Sequence, residues 1–400
     1  FAGFGIYEKY MLTAAERELR LEYPKVFEID ANLDRLIRNI ELLGHVNPIN
    51  VEKEKHRFFA SKYSLEPQFN YPKVKFRPYQ LQRAFFAQPL EEIKDDVVRK
   101  MYKDVINYYS NMIQCIETIG SDKKFYYNCL HCFGTPTEND VENAKFILHF
   151  EEEDKNAAMF QPKYNAIEAE SFFHSFSKQY DFSYNITQSD KMSAIAMVLN
   201  NIKTLVLNTN HTYSDNEISV LTNHEIGVHM VTTMNGCRNP LKIFSHGFPN
   251  NEETQEGLAV FSEYMSNNLT VRRLKELAYR VISVDSLAKG YTFSKTFRLL
   301  HNQYDLNRED AFYITVRTHR GGGFTKDYLY LSGLKKIYDC YKSGFDLSIL
   351  LTGKTSLEYY KVIESLINKG LARPSKYITD SYAVNNNTNK SVDFILKNLK

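Results

Sequence analysis

The stretch Asn223-His-Glu-Ile-Gly-Val-His229 decides how the rest of the chain is read. His224 and His229 bracket a carboxylate, Glu225, and neutral imidazoles are the usual ligands of zinc. The spacing is one residue longer than the common H-E-x-x-H arrangement. On a regular helix, residues four apart lie ~40° from alignment, whereas residues five apart diverge by ~140°. Two such histidines grip one ion only if the helix widens. A π-bulge absorbs one extra residue and is frequent at functional sites. The spacing therefore predicts an i to i+5 widening around residues 225–229, with Gly227 helping the backbone deform. A regular α-helix there would turn the imidazoles apart and remove the metal reading.

The flanks support a helix in this place. Ser214, with Glu217 three residues later, forms a capping box. Asn235-Gly236 reads as the stop. Upstream, Ser193-Ala-Ile-Ala-Met-Val-Leu and Thr204-Leu-Val-Leu-Asn are short apolar runs that read as adjacent strands. Strands, then a capped helix, then a second carboxylate-bearing helix is the order of a zincin-type catalytic half. The fold class expected is α+β.

A catalytic zinc keeps three protein ligands and a water, so Zn²⁺ needs one ligand more. The run Glu252-Glu253-Thr-Gln-Glu256-Gly-Leu-Ala, on a helix from about 251 to 268, offers three carboxylates. Glu252 and Glu253 suit the positive helix N-terminus. Glu256 lies inside the helix, in register with Val260 and Glu263, beside the small residues Gly257 and Ala259. Glu256 is the preferred third ligand, and Glu263 is placed to orient a ligand imidazole. Glu225 is the expected catalytic base, taking a proton from the water and later passing it to the leaving amine.

The remaining chain sets the frame. Residues 1–165 read as a mostly helical N-terminal portion, with helices at 8–20, 31–43, about 90–119 and 137–150, and residues 166–400 as the catalytic portion. Further helices are expected at 271–282, 327–342 and 356–369, and the Asn-rich tail 383–393 reads as polar and mobile. Lys plus Arg is 50 against 48 for Asp plus Glu, so no charge excess points to nucleic acid or a membrane surface. No membrane span is present in the pattern, and Phe1–Tyr10 lacks the layout of a signal peptide. Five scattered cysteines fit a reducing compartment, and a cytoplasmic location is expected. Trp is absent, so Tyr and Phe must carry aromatic burial, and many Tyr hydroxyls need partners.

At these two motifs the chain resembles a known family. Asn223–His229 followed by Gln255-Glu-Gly-Leu-Ala259 resembles the bacterial flavohaemoglobin expression-modulating QEGLA-motif proteins. Those are similar to the microtubule-associated tyrosine carboxypeptidases, which remove the C-terminal tyrosine of tubulin. Weaker matches include Asn47-Pro-Ile-Asn50, Phe133-Gly-Thr-Pro136 and Tyr330-Leu-Ser-Gly333, so the resemblance runs from about residue 30 to 370. It implies a zinc carboxypeptidase with ligands His224, His229 and Glu256, base Glu225, and a preference for an aromatic end residue such as tyrosine. The tubulin substrate does not carry over with it. Dipeptidyl peptidase III offers only a mechanistic parallel, since its second motif is missing here.

A carboxypeptidase must hold a terminal carboxylate. Arg320 and Lys326, flanking Gly321-Gly-Gly323, are the candidates for that contact. Tyr291, His319, Tyr328 and Tyr330 are all able to stabilise an oxyanion, and the sequence does not choose among them. The strand at 193–199 or at 204–208 is a candidate for pairing with substrate backbone. The partner expected is a peptide or protein C-terminus. Alternative readings are a catalytically silent metal-binding regulator that recognises peptide ends, and an endopeptidase or aminopeptidase. Two other signals are set aside. Cys129-Leu-His-Cys132 lacks a second ligand pair and reads as buried free thiols. Gly353-Lys-Thr lacks the first glycine of a phosphate loop, having Ser348 there.

Overall fold

The computed structural model describes residues 14–400 apart from 39, 155, 191 and 193. The reading of Phe1–Tyr10 and the first part of the 8–20 helix lie outside these residues. The protein is α+β, mostly helical, with one small mixed sheet among the described residues.

The sheet follows from Thr204-Leu-Val-Leu-Asn, which is buried at every position. This strand, β3 (Thr204–Asn208), takes the centre because both of its faces are buried. Strand β2 (Ala196–Leu199) runs antiparallel to it, with Val198 opposite Leu205. Strand β1 (Asn185–Ser189) runs parallel to it on the other side, with Thr187 opposite Val206. Its sequence, Asn-Ile-Thr-Gln-Ser, has no apolar run, and the strand is held by pairing rather than burial. That is why sequence patterning missed it. Ser193, where the β2 expectation began, lies outside the described residues.

After the Ser214 capping box the chain forms one composite helix of three parts: Asp215–Leu221 is α-helical, Thr222–Met230 is a π-helix, and Val231–Arg238 is α-helical again. The helix passes the expected stop at Asn235-Gly236 and ends at Arg238. Gly236 serves close packing instead, since a Cβ there would sit 2.5 Å from the Phe244 carbonyl oxygen. Leu205, Leu207, Tyr213, Ile226 and Met230 form a small core between sheet and composite helix.

A larger core takes residues from Val26 to Leu399. With no Trp available, Phe58 packs edge-on against Phe293 and Phe297, with ring centroids 5.2 and 5.0 Å apart. Tyr hydroxyls find partners as expected: buried Tyr102 donates to Asp30 at 3.0 Å and half-buried Tyr382 to the Leu258 carbonyl at 2.6 Å. The expected helix at 31–43 is instead Pro24–Ile37 followed by Leu42–Val46. Pro24 sits in the first turn, where its missing N–H costs nothing, and Glu41 is extended and separates the two helices.

The tail differs from expectation as well. Asn386 N–H donates to the Met265 carbonyl at 2.9 Å and Thr388 N–H to Asn267 Oδ1 at 2.8 Å. The helix Lys390–Asn398 then buries Val392, Ile395 and Leu396. No described helix is long and apolar enough to cross a membrane.

Candidate metal centre

The widened turn brings the two histidines together. His224 and His229 lie with ring centroids 4.9 Å apart, both facing the helix Asn251–Met265. Glu256 Oε2 is 3.6 Å from Nε2 of each imidazole. Of the three acids in the run, Glu256 alone reaches the histidines: Glu252 accepts from the Tyr108 hydroxyl, and Glu253 binds Ser332 at 2.7 Å and Lys336 at 2.6 Å.

Why the helix widens is visible in its carbonyls. Side-chain donors from neighbouring elements reach several of them. Ser262 donates to Asn223 O at 3.1 Å, Thr379 to Gly227 O at 2.7 Å and Lys354 to His229 O at 2.9 Å. These bonds support a turn whose own hydrogen-bond geometry is poorer than that of an α-helix. Gly227 is not strained, since a Cβ there would meet nothing nearer than 3.7 Å.

The donor set fits zinc. Two imidazole nitrogens and one carboxylate oxygen lie within 4.8 Å of one another. At metal–nitrogen distances near 2.0 Å, tetrahedral ligands stand ~3.3 Å apart. The observed 3.6 Å is close to that edge. Glu256 is pre-aimed, because Lys326 Nζ holds Oε1 at 2.7 Å and leaves Oε2 toward the imidazoles. His224 is also aimed: its Nδ1 lies 2.8 Å from Glu263 Oε1, freeing Nε2.

The electrostatics are tightly coupled. Burial opposes ionisation of Glu256, but Lys326 and the two histidines outweigh it and hold the carboxyl well below its usual range. Burial also works against a charged His224, yet Glu256, Glu263 and Glu225 lift it to about 9. Burial prevails at His229, which falls to about 4. Both histidines face one carboxylate, and His224 takes the proton because two further carboxylates face it. A metal binding to such a set displaces that proton. Burial raises Glu225 to about 7, although the Val198 backbone N–H donates to it.

A cavity of about 260 Å³ opens beside this centre. His229, Glu256, Lys326 and Lys354 form its polar wall, and β2 contributes Met197 and Val198. Tyr108, Tyr109, Met112, Phe133 and Phe324 form an apolar wall. His224, Glu225, Glu263 and Arg320 are not on the wall. A depression of about 590 Å³ between the helices Pro78–Phe86 and Asp96–Glu117 carries no His, Cys, Asp or Glu.

Arg320 lies behind the wall: it pairs with Asn47 and Asp327, and its guanidinium carbon sits 4.7 Å from the Phe324 ring centre. None of Tyr291, His319, Tyr328 and Tyr330 lines the cavity. Tyr328 donates to the Phe133 carbonyl at 2.7 Å, and His319 Nε2 meets Thr296 at 2.8 Å. Lys354, which sequence reasoning passed over with Gly353-Lys-Thr, does line it. Burial lowers this lysine to about 7. No local pattern marks it, since its place is set by contacts with Thr232 and His229, more than a hundred residues earlier. The Cys129–Cys132 thiols are buried and free, as read from sequence.

A family model described as microtubule-associated tyrosine carboxypeptidase matches residues 56–400. The chain belongs to that family. Membership implies a carboxypeptidase, and so a hydrolase with a peptide or protein as substrate. The matched region contains His224, His229 and Glu256 and every residue of the apolar wall named above. Comparison with curated proteins returned no match.

Proposed function

We propose that the protein is a zinc-dependent carboxypeptidase with a zincin-like catalytic portion in residues 166–400. The convergence of His224 Nε2, His229 Nε2 and Glu256 Oε2 beside an open cavity carries this reading. When bound, zinc supplies a Lewis acid that polarises the scissile carbonyl and acidifies water.

The chain's own groups do the rest. Glu225 takes a proton from the attacking water at its carboxylate and passes it to the leaving amine. Its raised affinity for protons suits a group that must hold and then release one near neutral pH. Glu263 orients His224, and Lys326 orients Glu256 while bordering the cavity. Arg320 backs Phe324 and contacts no substrate in this reading.

The family's name and the aromatic wall favour a tyrosine or other aromatic end residue. Tyr108, Tyr109 and Phe133 of that wall come from the helical portion 1–165. β2 is an edge strand beside the cavity, and apart from the Val198 N–H that Glu225 accepts, its outer edge is a candidate to pair with an extended substrate. A cavity open at His229 and Glu256 favours an enzyme over a silent binder of peptide ends.

The test combines zinc analysis with mass spectrometry of peptides that vary in their C-terminal residue. Chelation is expected to stop release of the end residue. Glu225→Gln is expected to abolish cleavage while zinc stays bound. Full activity in that variant would remove Glu225 from the mechanism.

A further inference from the structure

The two lysines on the cavity wall differ in one respect. Lys326 is neutralised by Glu256 at 2.7 Å. Lys354 is 4% exposed, and among the described residues no carboxylate comes within ion-pairing distance of its Nζ. Its two acceptors are neutral: the His229 carbonyl and Thr232 Oγ1, both at 2.9 Å. An ammonium carries three donors, so one remains. Buried charges are normally paired. Glu225 and Glu256 act on this lysine only from beyond ion-pair distance, so its third donor, beside the cavity, suits an anion from outside the chain.

The lysine is held firmly. Its backbone N–H donates to Phe244 O at 2.8 Å, and its carbonyl accepts from Phe248 N–H at 2.9 Å. Gln255 Nε2 reaches the carbonyls on either side of it, Gly353 at 3.5 Å and Thr355 at 3.3 Å. Gln255 Oε1 lies 2.9 Å from Thr232 Oγ1, the hydroxyl that accepts from Lys354. Gln255 thus ties the turn and the tip of the lysine to the helix that carries Glu256.

We infer that Lys354 anchors the α-carboxylate of the substrate's C-terminal residue, and that Gln255 is the residue positioning it. The inference rests on the carboxypeptidase reading above. It takes the place of an Arg320 contact, since that guanidinium pairs with Asn47, stands 4.0 Å from Asp327, and lies behind Phe324 rather than on the cavity wall.

The experiment uses the full zinc-loaded chain and a short peptide ending in tyrosine, with its C-terminus free or amidated. The unaltered protein is expected to prefer the free acid. Lys354→Gln keeps a neutral donor toward His229 O, and Lys354→Met removes it. Each is expected to raise KM for the free acid by at least about 30-fold with zinc content retained. KM for the amide should barely move, so the preference collapses. Gln255→Leu should give a smaller KM rise at similar kcat. Equal loss of kcat on both peptides with the preference intact would overturn the inference, because that pattern belongs to an oxyanion or structural role. If the unaltered protein cleaves neither peptide, the carboxypeptidase reading fails on its own. Equilibrium binding of the same two peptides then judges Lys354: a free-acid preference lost in Lys354→Gln supports the anchor, and equal binding of both peptides refutes it.

Discussion

His224 Nδ1 stands 2.8 Å from Glu263 Oε1, and Glu263 is fully buried. Arg273 Nε grips the other oxygen of the same carboxylate at 3.1 Å. The chain Arg273–Glu263–His224 therefore fixes the ring of one ligand from behind. Glu263→Gln is expected to weaken zinc affinity by about 10- to 100-fold, read by competition with a chelator of known affinity. Unchanged affinity would show that packing alone orients His224.

Two glycines near the candidate metal centre have opposite tolerances. A Cβ on Gly257 would lie 2.4 Å from the Gly333 carbonyl carbon, where the helices Asn251–Met265 and Leu329–Lys342 cross. Gly257→Ala must push these helices apart beside Glu256, at a cost of about 1–3 kcal/mol and with weaker zinc binding. Gly227, inside the π-helix, has room for a methyl group. Gly227→Ala is expected to be neutral or to stabilise by up to about 1 kcal/mol, with zinc retained. Chemical denaturation of both variants checks the contrast, and a large loss in Gly227→Ala would show that the widening depends on glycine.

Asp327 anchors a group of arginines. Burial pushes its carboxyl up, but Arg317, Arg320 and Arg280 outweigh that and hold it at about 2. Asp327→Asn leaves the buried Arg320 and the half-buried Arg317 and Arg280 without their carboxylate, and is expected to cost about 2–4 kcal/mol. The sign with pH follows from a depressed carboxyl. The stabilisation is complete above the unfolded value near ~4 and is lost as pH falls toward 2. Urea unfolding at pH 5 and at pH 3 should show the gap between the two proteins narrowing in acid. A gap independent of pH would assign the loss to packing.

The cysteines should react in a fixed order. Cys115 and Cys132 lie with sulfurs 3.4 Å apart, and each thiol is pushed up, chiefly by a neighbouring thiol and further by burial. Cys237 is exposed. Brief alkylation of the native protein is expected to label Cys237 and spare Cys115, Cys129 and Cys132 until denaturant is added. Early labelling of the buried three in a peptide map would contradict their packing.

The candidate metal centre was legible in the sequence because its signals are local. If His224 and His229 are to hold one ion, their five-residue step requires a widened turn, and the structure has a π-helix over Thr222–Met230. Helical register singled out Glu256 within one run of acids, and Ser214 with Glu217 marked where the helix begins. Apart from the helix expected at 31–43, which Pro24 and the extended Glu41 redraw locally, the misses are long-range. β1 exists because β3 offers it hydrogen bonds, and its own residues carry no apolar pattern. The composite helix runs past Asn235-Gly236 because Gly236 is used to admit the Phe244 backbone. Arg320 looked like a carboxylate fork in one dimension, but folding brings Asn47 and Asp327 to it and puts Phe324 in front. Lys354 looked like a failed phosphate loop until Thr232, His229 and Gln255 closed around it. By itself the sequence determined which side chains share a helix face, since that depends only on chain geometry. Only the tertiary structure decided which cations are already neutralised and which still face the cavity, since a charge's partners are set by contacts between distant segments.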